Sequence, residues 1–423
     1  NHFGPEGNYL HLYAPSFFAE DLPTPWGAGI DFRVPEVRAF FIENALYWLG
    51  EVGFDGLRLD AVHAITDTSR QHILDELAST LRSTLPNGEH KRLVLENDRN
   101  EAAYLQPPRR YDAQWNDDMH HALHVNLTGE SFGYYADFAA EPEQVLMRAL
   151  AGGFARRGWP STDLPPTSFV ACLQNHDQIG NRAWGERLSS LAKPEALRAA
   201  TALLLLSPQI PMLFMGEEWL STTPFRFFTD FGGELAEAVR NGRRREFDLD
   251  TIPDPEDQAT YAASCLEAPG DTSLHRHLLA LRRRWLQPVL AGVGSGEATG
   301  GGSSAISVVY GWARGWWCID LNLSDTPRPR PAGPREGDAG PALAHIPVFA
   351  SHGSPEPSDA GAPMPPWSLR VVRKDRACAG PYRRIPARRC AFSPPASSAS
   401  PRQPHSSRTS PGWASRTSTH HPF

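Results

Sequence analysis

The chain has 423 residues, 40% of them hydrophobic and 10% aromatic, enough for one large domain with a smaller companion and a sizeable core. Its net charge of −7 is uneven: the last acidic residue is Asp375, and the stretch from "PYRRIPARRC" to Phe423 holds seven arginines, which leaves the preceding body at about −14 and argues against a nucleic-acid surface. The five cysteines show neither metal-ligand nor disulfide-framework spacing, no secretory leader opens the chain, and no apolar run approaches the roughly 18 residues of a membrane span, so a reducing cytoplasm is expected and a membrane is not.

The first residue is Asn, not Met, and the expectation is a fragment. After a Gly/Pro-rich opening, "PEVRAFFIENALYWLGEVGF" carries apolar residues at helical spacing, with Pro35 suited to a first helical turn. "FDGLRLD" reads as a short strand. "SRQHILDELASTLRSTL" reads as a helix with Ile73, Leu74, Leu77 and Leu81 on one face, stopped by Pro86-Asn87-Gly88. "RLVLE" and "YDAQWN" are strands, the second weaker. "SFVACLQ" is a strand, "PEALRAATALLLL" a helix and "IPMLFM" a strand. Strands alternating with helices imply a parallel sheet with right-handed crossovers, and unbroken apolar runs fit strands buried on both faces. A doubly wound sheet and a (β/α)8 barrel both satisfy the pattern.

From about Gly292 the texture changes. "GSGEATGGGSS" reads as a linker, and "AISVVYGW", "GWWCIDLNL", "HIPVFAS" and "WSLRVV" as strands of a small all-β domain. The Pro-, Ser- and Arg-rich end lacks periodicity and reads as disordered, or as a frame-shifted read-through. The expected division is 1–290, 291–372 and a tail over 373–423.

Three strands finish alike. "FDGLRLD" ends at Asp60, "RLVLE" at Glu96 and "SFVACLQNHD" at Asp177. Any one of these acids reads equally well as a helix cap or a structural hydrogen-bonded group. Three together at the C-terminal ends of parallel strands, with Arg58, His63 and His176 beside them, point to a site. An ionised and a protonated carboxyl about 5 Å apart are what retaining glycoside cleavage needs. Arg58, two residues before Asp60 on the same strand side, is placed to keep Asp60 ionised, and neighbouring negative charge helps the acid partner keep its proton. "WNDDMHH" packs amides, acids and imidazoles beside Trp115, suiting a hydroxyl-rich ligand with an aromatic face for a sugar ring. Metal binding or a solvated helix start would produce the same run. Trp184, Trp219 and Phe227 are further candidate stacking faces, although each taken singly reads first as core packing.

"GFDGLRLDAVH", "LVLEND" and "QNHDQIGNR" resemble the second, third and fourth sequence regions of the α-amylase superfamily, and the opening "NHFGPEGNYL" resembles the segment just after its first region. Within it, "NALYWL", "QWNDDMHHALHV", "TGESFGYYADF", "NRAWGERL" and "IPMLFMGEEWLSTTPFRFFTDF" resemble the trehalose-releasing hydrolases. The resemblance runs from residue 1 to roughly 250. It implies a partial (β/α)8 TIM barrel, from the end of strand 3 through strand 8, followed by a small β-sandwich domain. It also implies Asp60 as nucleophile, Glu96 as general acid/base and Asp177 as transition-state stabiliser.

By the same resemblance His2, Arg58, His63 and His176 contact sugar or hold these carboxylates. Asn116, Asp117, Asp118, Met119, His120 and His121, with the run His176, Asp177, Gln178, Ile179, Gly180 and Asn181, line the cleft. The implied reaction is hydrolysis of the α-1,4 bond next to the terminal trehalose of maltooligosyl trehalose, without cofactor or obligatory metal. The implied supplier of substrate is a maltooligosyltrehalose synthase. The alternatives are a glycogen branching enzyme or another α-glucan hydrolase or transferase of the α-amylase superfamily, or a glucan-binding fragment without catalysis. The barrel strands missing ahead of Asn1 would leave open edges, so residues 1–423 alone are expected to be unstable and inactive.

Overall fold

The computed structural model describes residues 13–24, 27–85, 90–108, 110–155, 164–247, 249, 251–331, 343–351 and 363–376. His2 and the chain beyond Arg376 lie outside the described residues. A short antiparallel ribbon, β1 (Phe18–Thr24) with β2 (Gly27–Ile30), precedes α1 (Pro35–Leu46). Pro35 opens α1, where a missing N–H is harmless, and Val37, Ile42 and Ala45 face inward.

The heart of this half is a five-stranded parallel sheet of β3 (Gly56–Leu59), β4 (Arg92–Leu95), β5 (Ala113–Trp115), β6 (Phe169–Ala171) and β7 (Ile210–Pro211), adjacent in chain order. Among the described residues it does not close on itself, so β3 and β7 are its edges. Between the strands run α2 (Ile73–Thr84), α3 (Asp117–Thr128), α4 (Pro142–Gly152), the short α5 (His176–Gly180) and α6 (Leu188–Leu191), and α7 (Pro194–Leu206). His72 caps α2, accepting from the Leu74 N–H at 3.2 Å, and Ile73, Leu74, Leu77, Ala78 and Leu81 are its buried face. The Ala- and Leu-rich α7 is buried over ten of its residues, as a helix apolar all round must be. The "IPMLFM" strand is shorter than its apolar run suggests: only Ile210 and Pro211 pair, because the chain turns into the Phe214–Gly216 bend.

Two features organise this half. Arg38 of α1 donates to Glu76 (2.7 Å), Asp67 (2.7 Å) and the carbonyls of Phe32 and Gln71 (3.0 and 2.7 Å). Asp67, fully shielded, also accepts the Ser69 and Ile73 N–H groups. Its carboxyl is burdened by burial but held down, to about 2, by these donors. On the opposite flank, Arg282 closes the end of α7 through the carbonyls of Leu205, Ser207 and Gln209.

After α8 (Gly233–Phe247), α9 (Gln258–Ser264) and α10 (Ser273–Leu281) comes an antiparallel sheet. It holds β8 (Gly296–Gly300), β9 (Ile306–Trp312), β10 (Gly315–Asn322), β12 (Leu343–Ala350) and β14 (Ser368–Arg376), in the order β12-β14-β10-β9-β8. A ribbon of β11 (Arg328–Pro329) and β13 (Pro363–Met364) stands beside it. The expected linker "GSGEATGGGSS" is in part the strand β8. Gly296 sits against the Tyr310 ring, where a side chain would not fit, so its glycines serve close packing as well as turning. Of the tail expected from Arg373, only the first four residues are described, and they are strand. Arg373 to Arg376 continue β14, with Arg373 opposite Trp317 and Asp375 opposite Gly315, their charges hiding the strand pattern.

One apolar cluster spans both sheets. Met119 and Leu123 of α3, Leu146 and Leu150 of α4 and Leu203–Leu206 of α7 pack with Val308, Tyr310, Trp317, Ile319 and Val371. Two buried hydrogen bonds cross the same boundary, from the Trp317 indole to Leu206 O (2.9 Å) and from the Tyr310 hydroxyl to Leu150 O (2.8 Å). No helix among the described residues is long and apolar enough to cross a membrane.

Candidate active site

Strand β3 ends at Leu59, and Asp60 follows at the C-terminal edge of the sheet, partly open to solvent. The next residue, Ala61, takes a left-handed φ of +43°, which costs an alanine about 1 kcal/mol. That turn aims the Ala61 N–H at Glu96, whose Oε2 accepts it at 2.8 Å. Glu96 itself follows β4, registered by its N–H on Leu59 O (3.0 Å) and its carbonyl on Val62 N (3.1 Å). One guanidinium spans the two acids: Arg58 places Nη1 2.6 Å from Asp60 Oδ1 and Nη2 2.7 Å from Glu96 Oε2. Arg58 lies over the Trp115 ring, 3.9 Å from its centre, so the last residue of β5 supports the cation.

Burial drives the Glu96 carboxyl up, to about 8, and a hydrogen bond shared with Asp60 adds to this. The Arg58 charge opposes the rise without cancelling it. A half-exposed acid and a protonated neighbour therefore stand together.

Asp177, expected at a strand end, lies in α5, six residues past the end of β6. Asn175 caps α5, its Oδ1 accepting the Asp177 N–H at 2.9 Å, and His176 Nε2 lies 3.4 Å from Asp177 Oδ2. The His176 ring meets the edge of Trp115 at 6.2 Å, which links Asp177 to the Arg58 stack. His63 accepts the Asp98 N–H on Nδ1 (3.3 Å), beside the Glu96 turn. Asn181 donates to the Tyr134 hydroxyl (2.8 Å), and Tyr134 stacks on His121 at 5.9 Å and 13°. Tyr134 is 49% exposed, and the charges of Asp177 and Glu96 both act on its phenol. It is absent from the expected site residues, although "TGESFGYYADF" carries a signal for it, a tandem Tyr pair directly after Gly133.

Other expected cleft residues turn inward. Asn116 is buried as the N-cap of α3, accepting from Met119 N (3.1 Å) and donating to Gln209 Oε1 (2.9 Å). Asp118 is buried, bonded to Asn100 Nδ2 and Ala155 N, and buried His120 pairs with Asp117 at 3.0 Å. Asn116 and Asp118 thus spend polar atoms on capping and cross-linking α3, while His120 bonds through Nε2 and its buried Nδ1 has no hydrogen-bond partner among the described residues. Gln178 is half-buried, and Gly180 packs against Phe225. Of the extra aromatics, Trp184 is exposed, whereas Phe227 stacks on Arg243. Among the described residues no three His, Cys, Asp or Glu side chains converge as a ligand set for a metal ion.

Comparison with known proteins gives a consistent picture. No family model matches the chain. It is 42% identical over 318 residues to a malto-oligosyltrehalose trehalohydrolase of Deinococcus radiodurans, covering 69% of this chain and 52% of the relative. A protein of that name from Saccharolobus solfataricus is 40% identical over 305 residues, covering 67% and 53%. The chain thus spans about half the length of the curated relatives it matches. A crystal structure of a Salmonella typhimurium protein described as an alpha amylase superposes with a TM-score of 0.79 at 40% identity, over 89% of this chain and 66% of that one. A Geobacillus thermoleovorans alpha-amylase, 15% identical with a TM-score of 0.56, shares the fold.

Proposed function

We propose, from the premise that this chain is a relative of the malto-oligosyltrehalose trehalohydrolases of the α-amylase superfamily, that the whole protein is a retaining α-glucan hydrolase releasing trehalose. On this reading the five parallel strands belong to a (β/α)8 barrel, with the active site at its C-terminal face. The observation that carries the reading is the Asp60–Arg58–Glu96 arrangement, an open acid and a shielded, proton-holding acid on the two arms of one guanidinium.

The Asp60 carboxylate attacks the anomeric carbon of the glucan. The bond to the trehalose oxygen breaks, and that oxygen takes the Glu96 proton. Glu96, now ionised, removes a proton from water as it attacks the same carbon, and the Asp60 ester bond breaks. Two inversions retain configuration, and two acids on one guanidinium suit the roughly 5 Å spacing of retaining enzymes better than the wider inverting gap. Asp177 accepts sugar hydroxyls, and Arg58 keeps Asp60 ionised until it attacks and again once its ester is broken. No redox cofactor enters these steps. The expected setting is a reducing cytoplasm, with substrate supplied by a maltooligosyltrehalose synthase.

Incubating the full-length protein with maltooligosyl trehalose should release free trehalose, and the newly formed glucan end should be the α-anomer. Maltose from plain amylose without trehalose would replace this reading with an ordinary amylase. New α-1,6 branches would replace it with a branching enzyme.

A further inference from the structure

The segments "TGESFGYYADF" and "NRAWGERL" meet at an ion pair that the reaction above does not use. Gly129 ends α3 at φ +76°, a conformation that favours glycine. The next residue, Glu130, is held where the helix stops: Thr128 Oγ1 accepts its N–H at 3.1 Å, and the Thr128 hydroxyl donates to His124 O at 2.8 Å. The Glu130 carboxylate meets the Arg182 guanidinium with both oxygens, Nη1 and Nη2 each donating at 2.8 Å. A forked pair of this kind fixes direction as well as distance. His124 Nε2 lies 2.7 Å from Glu130 Oε2, and its ring stacks on Tyr135 at 3.8 Å and 6°. The Arg182 bonds hold the Glu130 carboxyl down to about 2, and burial pushes His124 down to about 4. At neutral pH an acceptor-only carboxylate therefore faces a neutral imidazole, which donates from Nε2.

Arg182 stands two residues beyond α5, the helix that holds Asp177. Five residues make too few internal bonds to keep such a helix in place alone. The backbone locks Arg182 to that turn, since Asp177 O accepts the Asn181 N–H (2.9 Å) and Ile179 O accepts the Arg182 N–H (3.1 Å). The Arg182 carbonyl also accepts Arg243 Nη2 at 3.3 Å, and its Nε donates to Glu186 at 3.1 Å. Asn181 adds a second tie to the connection after α3 through the Tyr134 hydroxyl. The Asp177 side chain is itself 37% exposed, so the turn beneath it sets its aim. Resting on the function proposed above, we infer that Arg182 and Glu130 are positioning residues: their forked ion pair fastens the turn carrying Asp177 to the end of α3, and so fixes where Asp177 meets the sugar.

Hydrogen exchange and turnover of the full-length protein test the inference together. Arg182→Met should speed exchange over residues 176–182 about tenfold, the loss of roughly one charge-assisted bond's worth of protection, and leave α7 unchanged. With maltooligosyl trehalose the same variant should lower kcat about tenfold and change KM less than about twofold, since a displaced Asp177 weakens the transition state more than the bound sugar. Glu130→Gln should give the same pattern from the other side of the pair, and it carries the test if Arg182→Met does not fold. The deciding measurement repeats the variant on an Asp177→Asn background, at high enzyme concentration. Residual kcat should then fall by less than about twofold, because a support has no further effect once the group it aims is gone. Unchanged exchange over 176–182, native kcat despite faster exchange, or an undiminished loss on the Asp177→Asn background each overturns the inference. Faster exchange in a protein that releases no trehalose would keep the tie and discard the reaction proposed above.

Discussion

Two arginines of this chain each join two carboxylates, and they do so to opposite effect. Arg38 is saturated: two acids and two backbone carbonyls take its donors, and Asp67 is further tied by two N–H groups. Its acid is strongly ionised, held down to about 2. Arg58 leaves its Nε without a hydrogen-bond partner among the described residues, lies on an aromatic face, and stands beside an acid driven up to about 8. Full hydrogen bonding marks a pair that fastens structure. Incomplete bonding, with a proton held between neighbours, marks a place where charge can move.

The contrast can be broken most sharply at Asp60. Asp60→Asn should lower trehalose release at least a thousandfold, on the order seen when a covalent nucleophile is removed, while the melting curve barely moves. Comparable loss of stability and activity would erase the distinction between the clusters. Arg38→Met should do the reverse. It leaves Asp67 buried without its cation and should remove about 3 kcal/mol of stability in a denaturant titration, with kcat of the folded fraction retained.

The third test uses the opposite signs of the two acids. Asp67 is lowered from 3.8 to about 2, so its contribution to stability is present above 3.8 and is lost as pH falls toward 2. Glu96 is raised from 4.5 to about 8, so its contribution is present below 4.5 and is lost as pH rises toward 8. Glu217 is shifted in the same direction as Glu96. Glu96→Gln should therefore flatten part of the alkaline decline in melting temperature and leave the acid side unchanged. A flattened acid side instead would show that the two roles have been exchanged. The smallest effect is expected at Asn181. Asn181→Ala frees the Tyr134 hydroxyl and should raise KM about fivefold, a single hydrogen bond's worth, with little change in kcat.

Asp60 and Glu96 stand out in the sequence because each directly follows an apolar strand, whereas Asp177 lies in α5, six residues past the end of β6. The capping and cross-linking roles of Asn116 and Asp118 are not legible because acids and amides at a helix start look alike whether they cap the helix or bind a ligand. Nothing local in "WNDDMHH" says that Asp118 will bond to Asn100 and Ala155. Strand β8 is hidden by glycine, whose role there depends on a tyrosine 14 residues away in sequence, Tyr310 opposite Gly296. Glu217 is hidden by its own charge, since "MGEE" reads as surface until the bend after β7 folds it inward.

The two hydrogen bonds from Trp317 and Tyr310 into the ends of α7 and α4 bear on how this chain can be engineered. A truncation at the sequence-derived boundary near residue 290 would strip the cover from Leu203–Leu206 and leave two helix-end carbonyls facing nothing. The antiparallel sheet is therefore no detachable tag. A calorimeter should register one heat-absorption peak for both sheets, and any splice meant to preserve the parallel half has to carry β9, β10 and β14 along with it.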